Sequence, residues 1–303
     1  MLVKLKPYLR WFILGGTLFF IIYAFKKNWQ AVATVKFTSD SLLILLFALI
    51  VTLLAHFWSG WVWTWILKLF KQSVALKWAL RIYLITNLAK YLPGNVGHFY
   101  TRILAVHQAG STIEAATISV LLEPLLMATA ALFLAILSSS LGLITVNHLG
   151  IQIVILIAIL GLTHPRILNP ILQKLSKSKA KQINLSPIHL KEYPLLPLLG
   201  ELGFVLLRGC GFLLTWFALV KINLEQILPL LSSFSFAWLM GLVVPGAPGG
   251  IGVFEATAIA LLDKQNYSSG ILLTTIALFR VISILAELIG AGIALLMVSP
   301  EKK

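Results

Sequence analysis

The 303-residue chain is 59% hydrophobic and 11% charged, with a mean hydropathy of +0.95, against about 45–50% and about 25% in soluble domains. That much apolar surface excludes a water-soluble fold, and apolar runs without period-two alternation exclude a transmembrane barrel, so membrane-spanning α-helices remain. The net charge of +14 invites a nucleic-acid reading, but the basic residues gather in the turns between apolar runs, where orientation by Lys and Arg and attraction to anionic headgroups account for them.

Lys4 and Lys6 precede the first apolar run, 9–25, Arg10 stands at its start, and Ala31-Val32-Ala33 follows it in the manner of a cleavage site. Lys26 and Lys27 lie between the two, and many more apolar runs follow, so the run is read as an uncleaved first span. Further spans are expected at 41–67, 112–137, 141–163, 194–220, 227–244 and 270–298, each near the roughly 20 residues that cross a bilayer. Trp58, Trp61, Trp63 and Trp65 crowd the end of the second span beside Lys68 and Lys71, as an interfacial aromatic belt does. Before the third, Ser111-Thr112-Ile113-Glu114 reads as a capping box, with hydroxyl and carboxylate taking first-turn amides.

Residues 164–191 form the most basic connection, holding Arg166, Lys174, Lys177, Lys179, Lys181 and Lys191. The positive-inside rule puts it, and the N-terminus, in the cytoplasm. The fold expected is an all-α, polytopic transmembrane bundle of about seven to eight spans, a single membrane domain over 1–303 at the cell membrane. Cys210 lies within an apolar run and is read as packing.

Two segments, 74–110 and 245–263, are apolar but interrupted. In Val243–Glu255 (VVPGAPGGIGVFE), Pro245 and Pro248 stand with Gly246, Gly249, Gly250 and Gly252. Proline removes a backbone donor and glycine accepts positive φ, so no helix runs through. Irregular backbone at membrane depth needs protein or a wet cavity around it. The stretch therefore lines the bundle interior, with a helix beginning near Gly250 aiming its free amides at an anion, or else it is a tight turn at the surface. Lys90–Arg102 (KYLPGNVGHFYTR) repeats the pattern with Pro93, Gly94 and Gly97, and adds Asn95, His98, Tyr100 and Arg102. Paired broken helices point to a binding site between them.

Ionisable residues inside apolar runs are the other signal: Glu123, Glu201, Arg208, Glu255, Arg280 and Glu287. Each costs roughly 2.5–3.5 kcal/mol at a helix centre unless paired, hydrated or cavity-facing. Glu201 and Arg208, like Arg280 and Glu287, are seven apart, two turns along one face, so each needs a partner elsewhere, such as Glu255 or Glu123 for Arg280. Buried ion pairs that fix helix register are one reading. The other has Arg280 and Arg208 neutralising a headgroup phosphate while the carboxylates orient them or bind an amine. His56 and His148 lack such company. No phosphate loop, metal-ligand cluster or nucleophile elbow is present in the sequence, so neither an enzymatic role nor a cofactor or metal is expected.

The stretches KYLPGNVGHFYTR and VVPGAPGGIGVFE, with Glu123-Pro124 and Arg280, resemble the transmembrane region of lysylphosphatidylglycerol synthases and their stand-alone flippase-like relatives. The resemblance covers most of the chain and implies a bundle with broken helices that moves, or helps to move, an amphipathic lipid between leaflets. The synthases' soluble aminoacyl-transfer domain has no counterpart here, so synthase activity does not carry over. Residues matching the motifs are Pro93, Gly94, Gly97, Pro245, Pro248, Gly249, Gly250, Gly252, Glu255 and Arg280. With Asn95, His98, Arg102, Glu123, Arg208 and Glu287 they make up the expected substrate-binding set. Expected partners are membrane lipids with an anionic or lipid-linked headgroup. A non-transporting role beside a glycosyltransferase or lipid-modifying enzyme, and a proton-coupled solute carrier, are the alternatives.

Overall fold

The computed structural model describes residues 37–72, 74–91, 96–141, 149–170, 190–244, 247–262 and 267–297, together with positions 26, 30 and 33. The chain is all-α in these regions. Its helices include α1 (Ser39–Leu69), α2 (Leu76–Asn87), α3 (Gly97–Gln108), α4 (Ile113–Leu141), α5 (Leu149–Leu162), α6 (Leu195–Phe217), α7 (Leu224–Val243), α8 (Val253–Leu262) and α9 (Ser269–Leu296). Short 3-10 turns, Leu88–Tyr91 and Pro248–Gly250, follow α2 and precede α8.

Helices α1, α4, α6, α7 and α9 are each long and apolar enough to cross a membrane. The shortest, α7, has 20 residues, about 30 Å of rise. The chain is thus a multi-pass membrane protein with five such helices among the described residues, where seven to eight spans were expected. The run at 9–25 lies outside the described residues. Of the run at 141–163, residues 142–148 lie outside the described residues and the part that follows forms α5, of 14 residues.

Helix α1 illustrates how these segments sort their faces. Leu42, Leu43, Leu46, Phe47, Ile50 and Leu54 are exposed, whereas Ala48, Thr52, Ala55, His56 and Ser59 are buried. The large apolar side chains face outward, as acyl chains permit, while small and polar ones face the bundle. Close packing of α1 on α6 requires Gly200: a Cβ there would lie 2.6 Å from Val62 Cγ2 and 2.8 Å from Trp65 Cζ3. Trp58 Nε1 donates to the Gly200 carbonyl at 2.7 Å across the same contact.

The aromatic belt is only partly as expected. Trp58, Trp61 and Trp65 meet edge to face, with ring centres 5.5–6.0 Å apart. Trp63 is completely buried and faces Trp78 and Tyr83 instead. Helical periodicity is the reason, because positions 58, 61 and 65 share a face and 63 does not. The cap of α4 also differs: Thr112 Oγ1 accepts from the Ala115 amide at 3.2 Å, and Ser111 Oγ donates to the Thr112 carbonyl. The cap is shifted by one residue, which takes Glu114 out of the capping-box position.

An aromatic cluster fixes the second broken segment. Phe212 of α6, Phe234 of α7, Phe254 of α8 and Phe279 of α9 meet with centres 5.4–6.5 Å apart, and the first two are fully buried. Such pairs add about 0.5–1.5 kcal/mol each beyond area burial. They tie the short helix α8, which cannot span by itself, to three long ones.

Candidate functional site

The two interrupted segments meet. A Cβ on Gly249 would lie 2.6 Å from Tyr91 Cε1, so the 3-10 turn Leu88–Tyr91 rests directly on the turn Pro248–Gly250. Gly249 and Gly250 have φ of +59° and +70°, a left-handed conformation that glycine alone adopts without strain. Gly250 also packs on α7, where a Cβ would fall 2.9 Å from the Gly241 carbonyl oxygen.

Arg280, from α9, binds this turn. Its Nε donates to Glu255 Oε1, its Nη1 to the Gly249 carbonyl at 3.2 Å, and its Nη2 to the Gly250 carbonyl at 3.5 Å. Glu255 Oε2 accepts from the Gly252 amide at 2.6 Å. The Gly250 and Ile251 amides donate to the Ala247 and Pro248 carbonyls. Amides expected to face an anion are therefore occupied within the chain at 250, 251 and 252, and α8 begins at Val253, slightly later than expected. Of the two carboxylates that spacing left open for Arg280, it takes Glu255.

Glu123 belongs to a second cluster. Its Oε2 accepts from Arg102 Nη1 at 2.8 Å and its Oε1 from the Tyr83 hydroxyl at 2.6 Å. Tyr83 OH is 2.6 Å from Ser59 Oγ, and Arg102 Nε donates to Thr86 Oγ1 at 3.1 Å. The Arg102 guanidinium also stacks 3.7 Å from the Tyr83 ring centre. Arg102, Glu123 and Tyr83 are all buried, and the cluster joins α1, α2, α3 and α4. A third pair joins Lys90 Nζ to Glu287 Oε1 at 2.6 Å, with His56 Nε2 at 3.4 Å from the same oxygen.

Arg208 is different. Nη2 donates to Ser283 Oγ at 3.0 Å, but Nε and Nη1 have no hydrogen-bond partner among the described residues. Its guanidinium lies 5.0 Å from the Phe279 ring centre, and the residue is buried. Glu201, two turns before it on α6, is wholly buried and both its carboxylate oxygens lack a partner there.

Between these groups is a cavity of about 310 Å³ lined by Lys90, His98, Phe99, Arg208, Trp238, Gly249, Gly250, Phe254, Phe279, Arg280, Ser283 and Glu287, among others. A smaller one of about 100 Å³ adjoins it, shares Lys90, His98, Arg208 and Glu287, and reaches His56, Tyr83, Arg102 and Glu123. Of the expected site residues, His98, Arg208, Gly249, Gly250, Arg280 and Glu287 line the larger cavity, and Arg102 and Glu123 the smaller. Glu255 and Gly252 are behind Arg280, and Gly97 opens α3. Pro93, Gly94, Asn95 and Pro245 lie outside the described residues.

The family model described as the lysylphosphatidylglycerol synthase TM region matches residues 10–290. The chain belongs to this family. Both interrupted segments, all five long helices except the last few residues of α9, and every charged residue of the cavities fall within the match of the lysylphosphatidylglycerol synthase TM region. No curated protein gives a sequence match.

The sequence sets His56 aside with His148, and Tyr83, Lys90, Ser283 and Trp238 do not stand out in it as site residues. Lys90 had a usable signal, since it begins the first broken motif and is a lysine between apolar runs. Ser283 had a weaker one, lying three residues after Arg280 on the same helix face. His56 and Tyr83 had none, because their partners come from helices distant in sequence.

Proposed function

We propose that this chain moves, or helps to move, a lipid with an anionic headgroup between the leaflets, the headgroup passing through the charged cavity while the acyl chains stay in the bilayer. The carrying observation is the meeting of the two broken segments beside a cavity lined by Lys90, Arg208 and Arg280 with one carboxylate, Glu287. Ionisable side chains are retained inside a membrane bundle where they serve a substrate or ion path, and discontinuous helices between repeats are the usual setting. Family membership supports the same reading. Part of the wall is aromatic, with Phe99, Trp238, Phe254 and Phe279, as suits a ligand that is polar at one end only.

The test is transbilayer lipid exposure, followed with a membrane-impermeant amine or glycan probe, in cells or vesicles bearing wild type, Arg280→Ala or Gly249→Leu. Both variants are expected to lower the exposed fraction severalfold. Unchanged exposure in both, at equal protein levels, rejects the reading.

Glu201 favours a second reading, a proton-coupled carrier, because a fully buried carboxyl group without a hydrogen-bond partner among the described residues is a natural proton-exchanging group. Loss of pH-gradient dependence in Glu201→Gln, with transport otherwise intact, would favour coupling.

A further inference from the structure

Among the described residues, direct charge pairing around the cavities leaves one cation over. The lining groups and their direct partners comprise four cations, Lys90, Arg102, Arg208 and Arg280, and three carboxylates, Glu123, Glu255 and Glu287, counting His56 and His98 as neutral. Three of the cations have a carboxylate of their own, at Glu287, Glu123 and Glu255 respectively. Arg208 has only the Ser283 hydroxyl, and two of its guanidinium nitrogens make no hydrogen bond among the described residues.

A buried, weakly partnered guanidinium is a preorganised site for a phosphate, because its fork matches two phosphate oxygens and no competing carboxylate has to be displaced. Arg280 lacks that freedom, with Nε on Glu255 and both terminal nitrogens turned to the Gly249 and Gly250 carbonyls. Size bears on the head that accompanies the phosphate. About 310 Å³, with about 100 Å³ adjoining, is at the lower end of the roughly 300–1,000 Å³ of ligand pockets, so a second phosphate and an oligosaccharide would not fit beside the first.

Resting on the lipid-moving reading above, we infer that the cavity selects a phosphodiester of net charge −1 with a small uncharged head, and that Arg208, seconded by Ser283, holds its phosphate while Arg280 keeps the broken segment in shape. A glycerol-headed phospholipid and a polyprenyl phosphate monosaccharide share this chemistry. Zwitterionic lipids and pyrophosphate-linked glycans do not.

The experiment uses the full chain in detergent micelles doped with one lipid at a time, with affinities read by native mass spectrometry: phosphatidylglycerol, a polyprenyl phosphoglucose, phosphatidylcholine and a polyprenyl pyrophosphate, with inorganic phosphate as the soluble arm. At least one of the two monoanionic diesters is expected to bind about tenfold or more tightly than phosphatidylcholine and the pyrophosphate, the scale of one charge-assisted hydrogen-bond pair. Which of the two binds more tightly identifies the source. Arg208→Gln is expected to erase the preference, Arg208→Lys to keep part of it, and Arg280→Gln to lower thermal stability while leaving the ratio in place. Should Arg208→Gln fail to fold, Arg208→Lys and Ser283→Ala decide the matter through a severalfold loss in the same ratio. Equal binding of all lipids by wild type, an unchanged ratio in the Arg208 variants, or inorganic phosphate binding as tightly as the lipids overturns the inference. Selective binding without any change in transbilayer exposure would reject movement and leave the assignment of the site standing.

Discussion

Glu255 holds Arg280 with one carboxylate oxygen and the Gly252 amide with the other, so a single side chain fixes both the start of α8 and the attachment of α9 to the broken segment. The guanidinium then reaches the carbonyls of Gly249 and Gly250. The kink is thereby held by charge, and the aromatic cluster of Phe212, Phe234, Phe254 and Phe279 supports it from behind.

Removing one member of this pair leaves the other uncompensated. Glu255→Ala is expected to destabilise the protein by about 3 kcal/mol, and Glu255→Leu with Arg280→Met to recover most of that loss, since a well-packed apolar pair can replace a buried ionic one. Unfolding of purified protein in mixed micelles measures both. A single variant as stable as wild type would mean that the pair does not hold the kink.

The two left-handed glycines have different obstacles, and that difference is testable. Alanine at either carries about 1–2 kcal/mol of backbone strain. At position 249 the added methyl would strike the Tyr91 ring at 2.6 Å, whereas at 250 it would meet backbone, the Gly241 oxygen at 2.9 Å and Cα at 3.0 Å. Tyr91→Ala is therefore expected to relieve much of the damage of Gly249→Ala and none of that of Gly250→Ala. Equal rescue of both in the same unfolding measurement would contradict the contact between the broken segments.

Tyr83 is the central member of the Glu123 cluster, bonding Glu123 and lying against both Ser59 and Arg102. Tyr83→Phe leaves a buried carboxylate oxygen without a donor, a loss of about 1–3 kcal/mol, while Ser59→Ala is expected to be milder because Tyr83 keeps Glu123. A double-mutant cycle of Tyr83→Phe with Glu123→Gln should be non-additive, as it is for groups within one network. Additivity within experimental error would show that the hydroxyl and the carboxylate act separately.

Much of this architecture was legible in the sequence, and the reasons are local. The limits of α6 and α9, Leu195–Phe217 and Ser269–Leu296, follow the apolar runs closely, because hydropathy and span length are read along the chain. Pro248 with Gly249 and Gly250 announced a break by itself, since no other conformation suits those residue types together. Partner choice was not legible. Arg102 follows the first broken motif and Glu123 stands in the middle of α4, and only the packing of α3 on α4 brings them to 2.8 Å. The same holds for Lys90 and Glu287, nearly two hundred residues apart. Trp63 looked like its neighbours in composition, yet its position around the helix turned it inward, onto Arg102.

Arg208 should behave unlike the other three cations when neutralised. Arg102 and Arg280 stabilise the empty protein through carboxylates that would otherwise be left buried and unpaired, so Arg102→Met is expected to be destabilising by about 3 kcal/mol. Arg208 makes no direct ion pair among the described residues, where its hydrogen bond goes to Ser283, and it sits over the Phe279 ring. Replacing it with Met removes a desolvated charge and keeps the apolar contact, so Arg208→Met should leave stability unchanged or raise it by up to about 2 kcal/mol, while transbilayer lipid exposure falls. A residue retained against stability in this way is one whose charge serves binding. Unfolding of Arg208→Met alongside Arg102→Met decides between the two roles: if both lose stability equally, Arg208 is a structural cation like the rest.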